Sequence, residues 1–214
     1  MNKNKQFIAL GVGILFIAGI VVFGNMSGGG TENTSTAIVM EDRVKGNENA
    51  VVKLVEYSDF QCPACGAYYP IVKQLMEEYG DRIKFTYKHF PLRRIHANAD
   101  LAARAAEAAG VQGKFWEMHD IIFENQEKWS KARTQSIFVE YAKDLGLDVG
   151  QFKKDLGSKE IRAKVQDDFE EGVALGVNST PSFFLNGEKL NGIRSYEDFK
   201  NIIENAINSD ISGD

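Results

Sequence analysis

Residues 50–90 confine this chain to few folds. An apolar β-type segment, "AVVKLVEYSDF", runs into Cys62-Pro63-Ala64-Cys65. "GAYYPIVKQLMEEYG" follows, with Tyr68, Ile71, Val72, Leu75, Met76 and Tyr79 at helical spacing, and then a second β-type segment, "RIKFTYKHF". Strand, helix and strand in that order predict a right-handed parallel βαβ unit. The first strand is largely apolar, as expected of one covered on both faces. Pro70 lies inside the helical pattern and is expected to kink the helix, with Gly80 as its stop.

Beyond residue 95 the periodicity is helical for some 80 residues. "NADLAARAAEAAG" carries small residues on every face, with Gly110 as its stop. "KFWEMHDIIFENQ" places Phe115, Trp116, His119, Ile122 and Phe123 on one side. "TQSIFVEYAKDLGLD" and "SKEIRAKVQDDFEEGVALG" predict two further helices. β character returns in "PSFFLNGEKLNG", where Asn186-Gly187 signals a two-residue hairpin. A last helix, "SYEDFKNIIENAI", has Ser195 as its N-cap and Asp198 three residues on. The order is βαβ, a helical block, a hairpin and a helix, which predicts a thioredoxin-like α/β fold with an all-helical insertion at about 95–176.

The N-terminus reads differently. Lys3 and Lys5 precede residues 7–23, "FIALGVGILFIAGIVVF", which hold no charge. Such a segment, with positive residues ahead of it, predicts a signal anchor or signal peptide over residues 1–25, with the rest of the chain outside the cytoplasm. Residues 26–45 are rich in Gly, Ser and Thr and read as a flexible linker, with the compact domain over 46–207 and a tail over 208–214. Those two lysines are the only charges before residue 31, and the whole chain holds 25 basic against 30 acidic residues. The balance speaks against a nucleic-acid partner.

Cys62 and Cys65 are the only cysteines. A disulfide between them closes too short a loop to stabilise the fold much, which disfavours a structural staple. A zinc site wants four ligands, and His89, His96 and His119 do not stand at ligand spacing. A reactive pair is left. At the N-terminus of the first helix, Cys62 meets free backbone N–H groups and the positive dipole end, which favour the thiolate. Pro63 suits the first turn, where its missing N–H leaves no bond unmade. Cys65, one turn on and on the same face, serves as the resolving thiol.

Four ordered segments carry a resemblance: "GNENAVVKLVEYSDFQCPAC", "HFPL" with "HANADLAARAAEAAG", "GKFWEMHDIIFENQ" and "GVNSTPSFFLNG". Together they resemble the DsbA-like thiol–disulfide oxidoreductases of the bacterial cell envelope. The resemblance implies catalysis by Cys62 and Cys65, with no cofactor beyond their disulfide and no metal. It implies a cis bond before Pro181, packed against the pair. Pro63, Ala64, Thr180 and Pro181 would then flank the substrate, with the Thr180 backbone open to an extended chain. Glu56, six residues before Cys62, matches an acid that the family often buries beneath the pair, where a raised pKa lets it carry the proton of Cys65. The bland reading of Glu56 is a strand-end acid paired with Lys88. Asp59 reads as a solvated loop residue, and His119 as a packed boundary histidine. His96 reads as a hydrogen-bond partner for the start of the next helix. Ser179 stands where the family commonly has glycine. Ala64 stands where the DsbA prototype has a histidine, so the redox poise does not carry over.

The expectation is an extracytoplasmic, monomeric disulfide donor held to the bacterial cytoplasmic membrane through residues 7–23. Its substrates would be reduced or unfolded secreted proteins, and a quinone-linked partner of DsbB or VKOR type would reoxidise it. The alternatives are a reductase or isomerase, or a peptide-binding chaperone with a dormant pair.

Overall fold

The computed structural model describes residues 41–131 and 135–212. The proposed anchor (1–25) lies outside them, as do most of the proposed linker and the end of the tail. Among the described residues no helix is long and apolar enough to cross a membrane.

Five strands form one sheet: β1 (Arg43–Gly46), β2 (Val52–Ser58), β3 (Ile83–His89), β4 (Ser182–Leu185) and β5 (Glu188–Lys189), in the order β1-β3-β2-β4-β5. β2 and β3 are parallel and joined by α1 (Pro63–Tyr79), the predicted βαβ unit, and the other pairings are antiparallel. α1 continues through Pro70 to Gly80. The β4–β5 turn has positive φ at both Asn186 (48°) and Gly187 (88°), as a tight hairpin requires.

The helical insertion comprises α2 (Ala99–Val111), α3 (Phe115–Glu124), α4 (Gln126–Trp129), α5 (Ser136–Asp144), α6 (Val149–Leu156) and α7 (Lys159–Ala174). The sequence periodicity missed α4 and α6, each under three turns. Gly110 is not a stop. α2 runs through it to Val111, and a Cβ there would meet the Arg43 guanidinium at 2.7 Å. α8 (Tyr196–Ser212) begins with the predicted capping box, Asp198 N–H to Ser195 Oγ at 3.2 Å and Ser195 N–H to Asp198 Oδ2 at 3.0 Å.

The linker boundary needs correction. β1 occupies residues 43–46 and pairs with β3, so the domain starts before Gly46. Its outward signal is weak because four residues in polar company form a strand only where a neighbour offers a free edge. Arg43 reaches into the core. Its Nε donates to Glu107 Oε2 at 3.0 Å, and Glu107 also receives His89 Nε2 at 2.9 Å. Glu107 is fully buried.

Side-chain alternation along β2 and β3 divides the core in two. Leu54, Phe85 and Tyr87 face α1, α3 and α8. Tyr57 faces the other way, with Phe90, Phe184 and Phe169 of α7. Glu56 therefore falls on the α1 side. Lys88, whose β2 partner is Tyr57, falls on the α7 side and pairs with Asp42, Glu171 and Asp168. Pleat parity excludes the Glu56–Lys88 pair.

Candidate active site

Cys62 is the N-cap of α1, and its carbonyl accepts from Gly66 N–H at 3.1 Å. Pro63 takes the first helical position, exposed, with Ala64 beside it. Cys65 is 0 % exposed and Cys62 8 %. The peptide bond between Thr180 and Pro181 is cis, and the Thr180 carbonyl lies 3.4 Å from Cys62 Sγ. The tertiary fold thus brings the two motifs, 118 residues apart, into contact. Beside them opens a cleft of about 470 Å³ lined by Ala64, Tyr68, Ser179, Pro181 and Ile193. Ser179 has no positive φ; among described residues other than glycine only Asn186 does. The position never needed glycine.

The two thiols are made unlike. Cys62 is drawn down to about 5, first by a hydrogen bond from the Cys65 thiol and also by the backbone N–H groups of Cys65 and Ala64, against the opposing effect of burial. Cys65 is pushed well above its usual range, first by burial and then by the charge of Cys62 and of Glu56. Glu56 is 5 % exposed and is raised to about 7 by burial. Around it lie the buried Ser58 Oγ, which favours the charged form of Glu56, and the buried Tyr87 hydroxyl. Such a polar pocket suits an acid that changes protonation state. Alkylation of Cys62 by iodoacetamide is accordingly expected to rise with pH through a midpoint near 5, whereas Cys65 stays unreactive to pH 8. The same shift acts on stability. The folded pKa of Cys62 lies below its unfolded value, about 8.5. The thiolate therefore stabilises the reduced fold fully above that value, and the stabilisation is lost as pH falls through about 5. A midpoint of 8 or above in the alkylation profile would refute the activated thiol.

Several residues that hold this loop escaped the sequence reading. Asp59 is not solvated. It is 1 % exposed, its Oδ1 accepts from Gln61 N–H at 2.7 Å, and its Oδ2 accepts from Leu92 N–H at 2.8 Å and faces His96 Nδ1 at 2.7 Å. His96 thus binds the active-site loop as well as preceding α2. Gln126 Nε2 donates to the carbonyls of Phe60 (2.7 Å) and Cys62 (2.8 Å), and a Cβ on Gly66 would meet Gln126 Oε1 at 2.5 Å. The helical insertion therefore clamps the CPAC loop. Only the Asp59–Gln61 spacing, which allows an Asx-type turn, was visible locally. Among the described residues no cluster of His, Cys, Asp or Glu could hold a metal ion.

A helix-capping thiol of lowered pKa, a second, buried thiol one turn on and a cis-proline loop on this sheet define a thiol–disulfide oxidoreductase. The family model described as "Thioredoxin" matches residues 39–205, and the chain belongs to that family. A thioredoxin-like oxidoreductase from Silicibacter pomeroyi DSS-3 superposes with a TM-score of 0.66 at 27 % identity, over 77 % of this chain and 91 % of that one. The same fold is seen in alpha-DsbA1 of Wolbachia pipientis (TM-score 0.73, 20 % identity, 82 % and 96 % covered) and in BdbD of Bacillus subtilis (0.67, 23 %, 78 % and 93 %). Among curated proteins, one named Na(+)/H(+) antiporter NhaA 3, from Salinispora tropica, is 35 % identical over 168 residues, which is 78 % of this chain and 25 % of that protein. The chain spans about a quarter of the length of the curated relatives it matches.

Proposed function

We propose that this protein is a thiol oxidase that donates its Cys62–Cys65 disulfide to reduced secreted or envelope proteins. The observation that carries the reading is the inequality of the two thiols, a Cys62 held near 5 above a buried Cys65. A client thiolate attacks Cys62 Sγ, the mixed disulfide forms there, and Cys65 leaves and takes a proton from Glu56. A second client thiolate then attacks the client sulfur, and Cys62 leaves as a stable thiolate. That stability favours the reduced protein and so favours donation. The client lies extended along Thr180, its backbone pairing as an added strand, with Pro63, Ala64 and Pro181 around its sulfur. A membrane partner of quinone-linked DsbB or VKOR type restores the disulfide at the extracytoplasmic face of the membrane, where residues 7–23 hold the chain.

The test is the equilibrium of the full-length chain with glutathione buffers. Truncation at Gly46 would remove β1 and is to be avoided. The expected potential lies above about −200 mV, on the DsbA side (about −120 mV) of the thioredoxin value of about −270 mV. A value near the latter would make the protein a reductase.

A further inference from the structure

One buried titratable group beside the site has no part in the chemistry above. His119 of α3 is 6 % exposed and ringed by aromatic side chains, with the centroids of Tyr87, Phe123 and Trp116 at 4.9, 5.0 and 5.1 Å. Its Nδ1 lies 2.8 Å from Asp120 Oδ1. An ionised carboxylate can only accept, so Nδ1 carries the proton and Nε2 keeps its lone pair. No described residue hydrogen-bonds Nε2. Burial holds the ring below its usual pKa, against the pull of Asp120 and with a further push from Lys45 and His89. The resting imidazole is neutral.

His119 and Glu56 line one cavity of about 20 Å³ between α1, α3 and β1. That volume is room for a single water. Apolar walls are supplied by Val72, Met76, Phe85 and Phe123, and the charged groups Lys45, Lys73 and Asp120 also line it. Lys73 and Asp120 are partly exposed, with side chains 41 % and 27 % accessible. The cavity thus runs from the one acid beneath the redox pair to charges that meet solvent. Cys65, Tyr87 and Ser58 also interact with Glu56. Among the described residues no basic side chain pairs with Glu56.

We propose that this cavity is the proton port of the redox pair and that His119 is its relay residue. The proposal rests on Glu56 serving Cys65, and it holds whichever way electrons flow. In the oxidising direction Cys65 Sγ attacks Cys62 of a mixed disulfide. The Cys62–Cys65 bond forms, the bond to the partner sulfur breaks, and the partner leaves as a thiolate. The proton of Cys65 passes to the Glu56 carboxylate, then through one water to His119 Nε2. Nδ1 releases its own proton toward Asp120 and solvent. Donation of the disulfide runs the same path backwards and reprotonates Glu56.

The experiment follows formation and resolution of the mixed disulfide between full-length protein and glutathione by stopped flow, from pH 5.5 to 8.5, in H2O and in D2O. His119→Ala is expected to slow resolution by about tenfold or more, to raise the solvent isotope effect and to leave the equilibrium constant with glutathione unchanged. Added imidazole should restore most of the rate in His119→Ala and none in Glu56→Gln, which lacks the acid. Asp120→Asn, at a partly exposed position, should slow resolution in the same way without disturbing the fold. Resolution at the wild-type rate in both His119→Ala and Asp120→Asn would overturn the port. So would slowing that imidazole does not relieve and that shifts the equilibrium constant, since that is what packing alone would do. A thioredoxin-like potential, by contrast, would overturn only the oxidase reading.

Discussion

Replacing Cys62 with serine is expected to abolish oxidation of a reduced protein substrate, with turnover falling by about 10³-fold or more. Cys62 is the sulfur at the helix N-terminus, 3.4 Å from the Thr180 carbonyl and next to the cleft. Cys65 is 0 % exposed and cannot meet a client directly. The reciprocal variant, Cys65→Ser, should retain the attack and lose the resolution. Mixed disulfides through Cys62 then accumulate and appear as client adducts on non-reducing gels or by mass spectrometry. Turnover in Cys62→Ser at anything near the wild-type rate, or adducts that form on Cys65, would sink the assignment of roles.

The second large effect is on stability. Glu107 is expected to lose about 3–5 kcal/mol of fold stability on replacement with alanine, because the change strands the charge of Arg43 in the core. Burial alone would push the Glu107 carboxyl upward, but the hydrogen bonds and charges of His89 and Arg43 outweigh it and hold the group below its usual range. That loss is a large share of the roughly 5–15 kcal/mol that holds a domain folded. Urea unfolding of the reduced protein at neutral pH should show a much lower midpoint for Glu107→Ala. The double variant Arg43→Met, Glu107→Leu should recover only part of it, since it removes both charges and keeps the volume but leaves the buried His89 Nε2 without its acceptor. An unchanged midpoint for the single variant would show that Arg43 is not committed to the core, and with it β1.

These two cases differ in how much the sequence discloses. The placing of Cys62 at a helix start was legible because it is set locally: a strand that ends, a helix that starts, a proline at its first turn and a second thiol one turn on, with the distant Thr180 contact alone out of view. The hairpin at Asn186-Gly187 and the capping box at Ser195 and Asp198 were legible for the same reason. Each depends on backbone angles and hydrogen bonds within four residues. The cis bond before Pro181 came only through family resemblance, because an X–Pro dipeptide on its own favours trans.

Glu107 was invisible. It sits in an alanine-rich helix, and nothing within a turn of it announces that Arg43, 64 residues earlier, will reach it. Asp59 misled for a related reason. An acid in a polar loop is usually solvated, and its partners Leu92 and His96 stand 33 and 37 residues away. β1 is a strand only because β3 leaves an edge open, and Gln126 clamps the CPAC loop only because the insertion folds back over it.

By itself, then, the sequence determined the βαβ start, the helical block, the closing hairpin and helix, and the pair of thiols at the start of the first helix. All of these follow from short-range periodicity and backbone chemistry. Tertiary structure alone decided which buried charges are paired, that Glu56 faces the thiols and not Lys88, and that His119 shares a cavity with it. Those outcomes depend on pleat parity and on side chains brought together from distant elements, where burial, not local propensity, sets the energy.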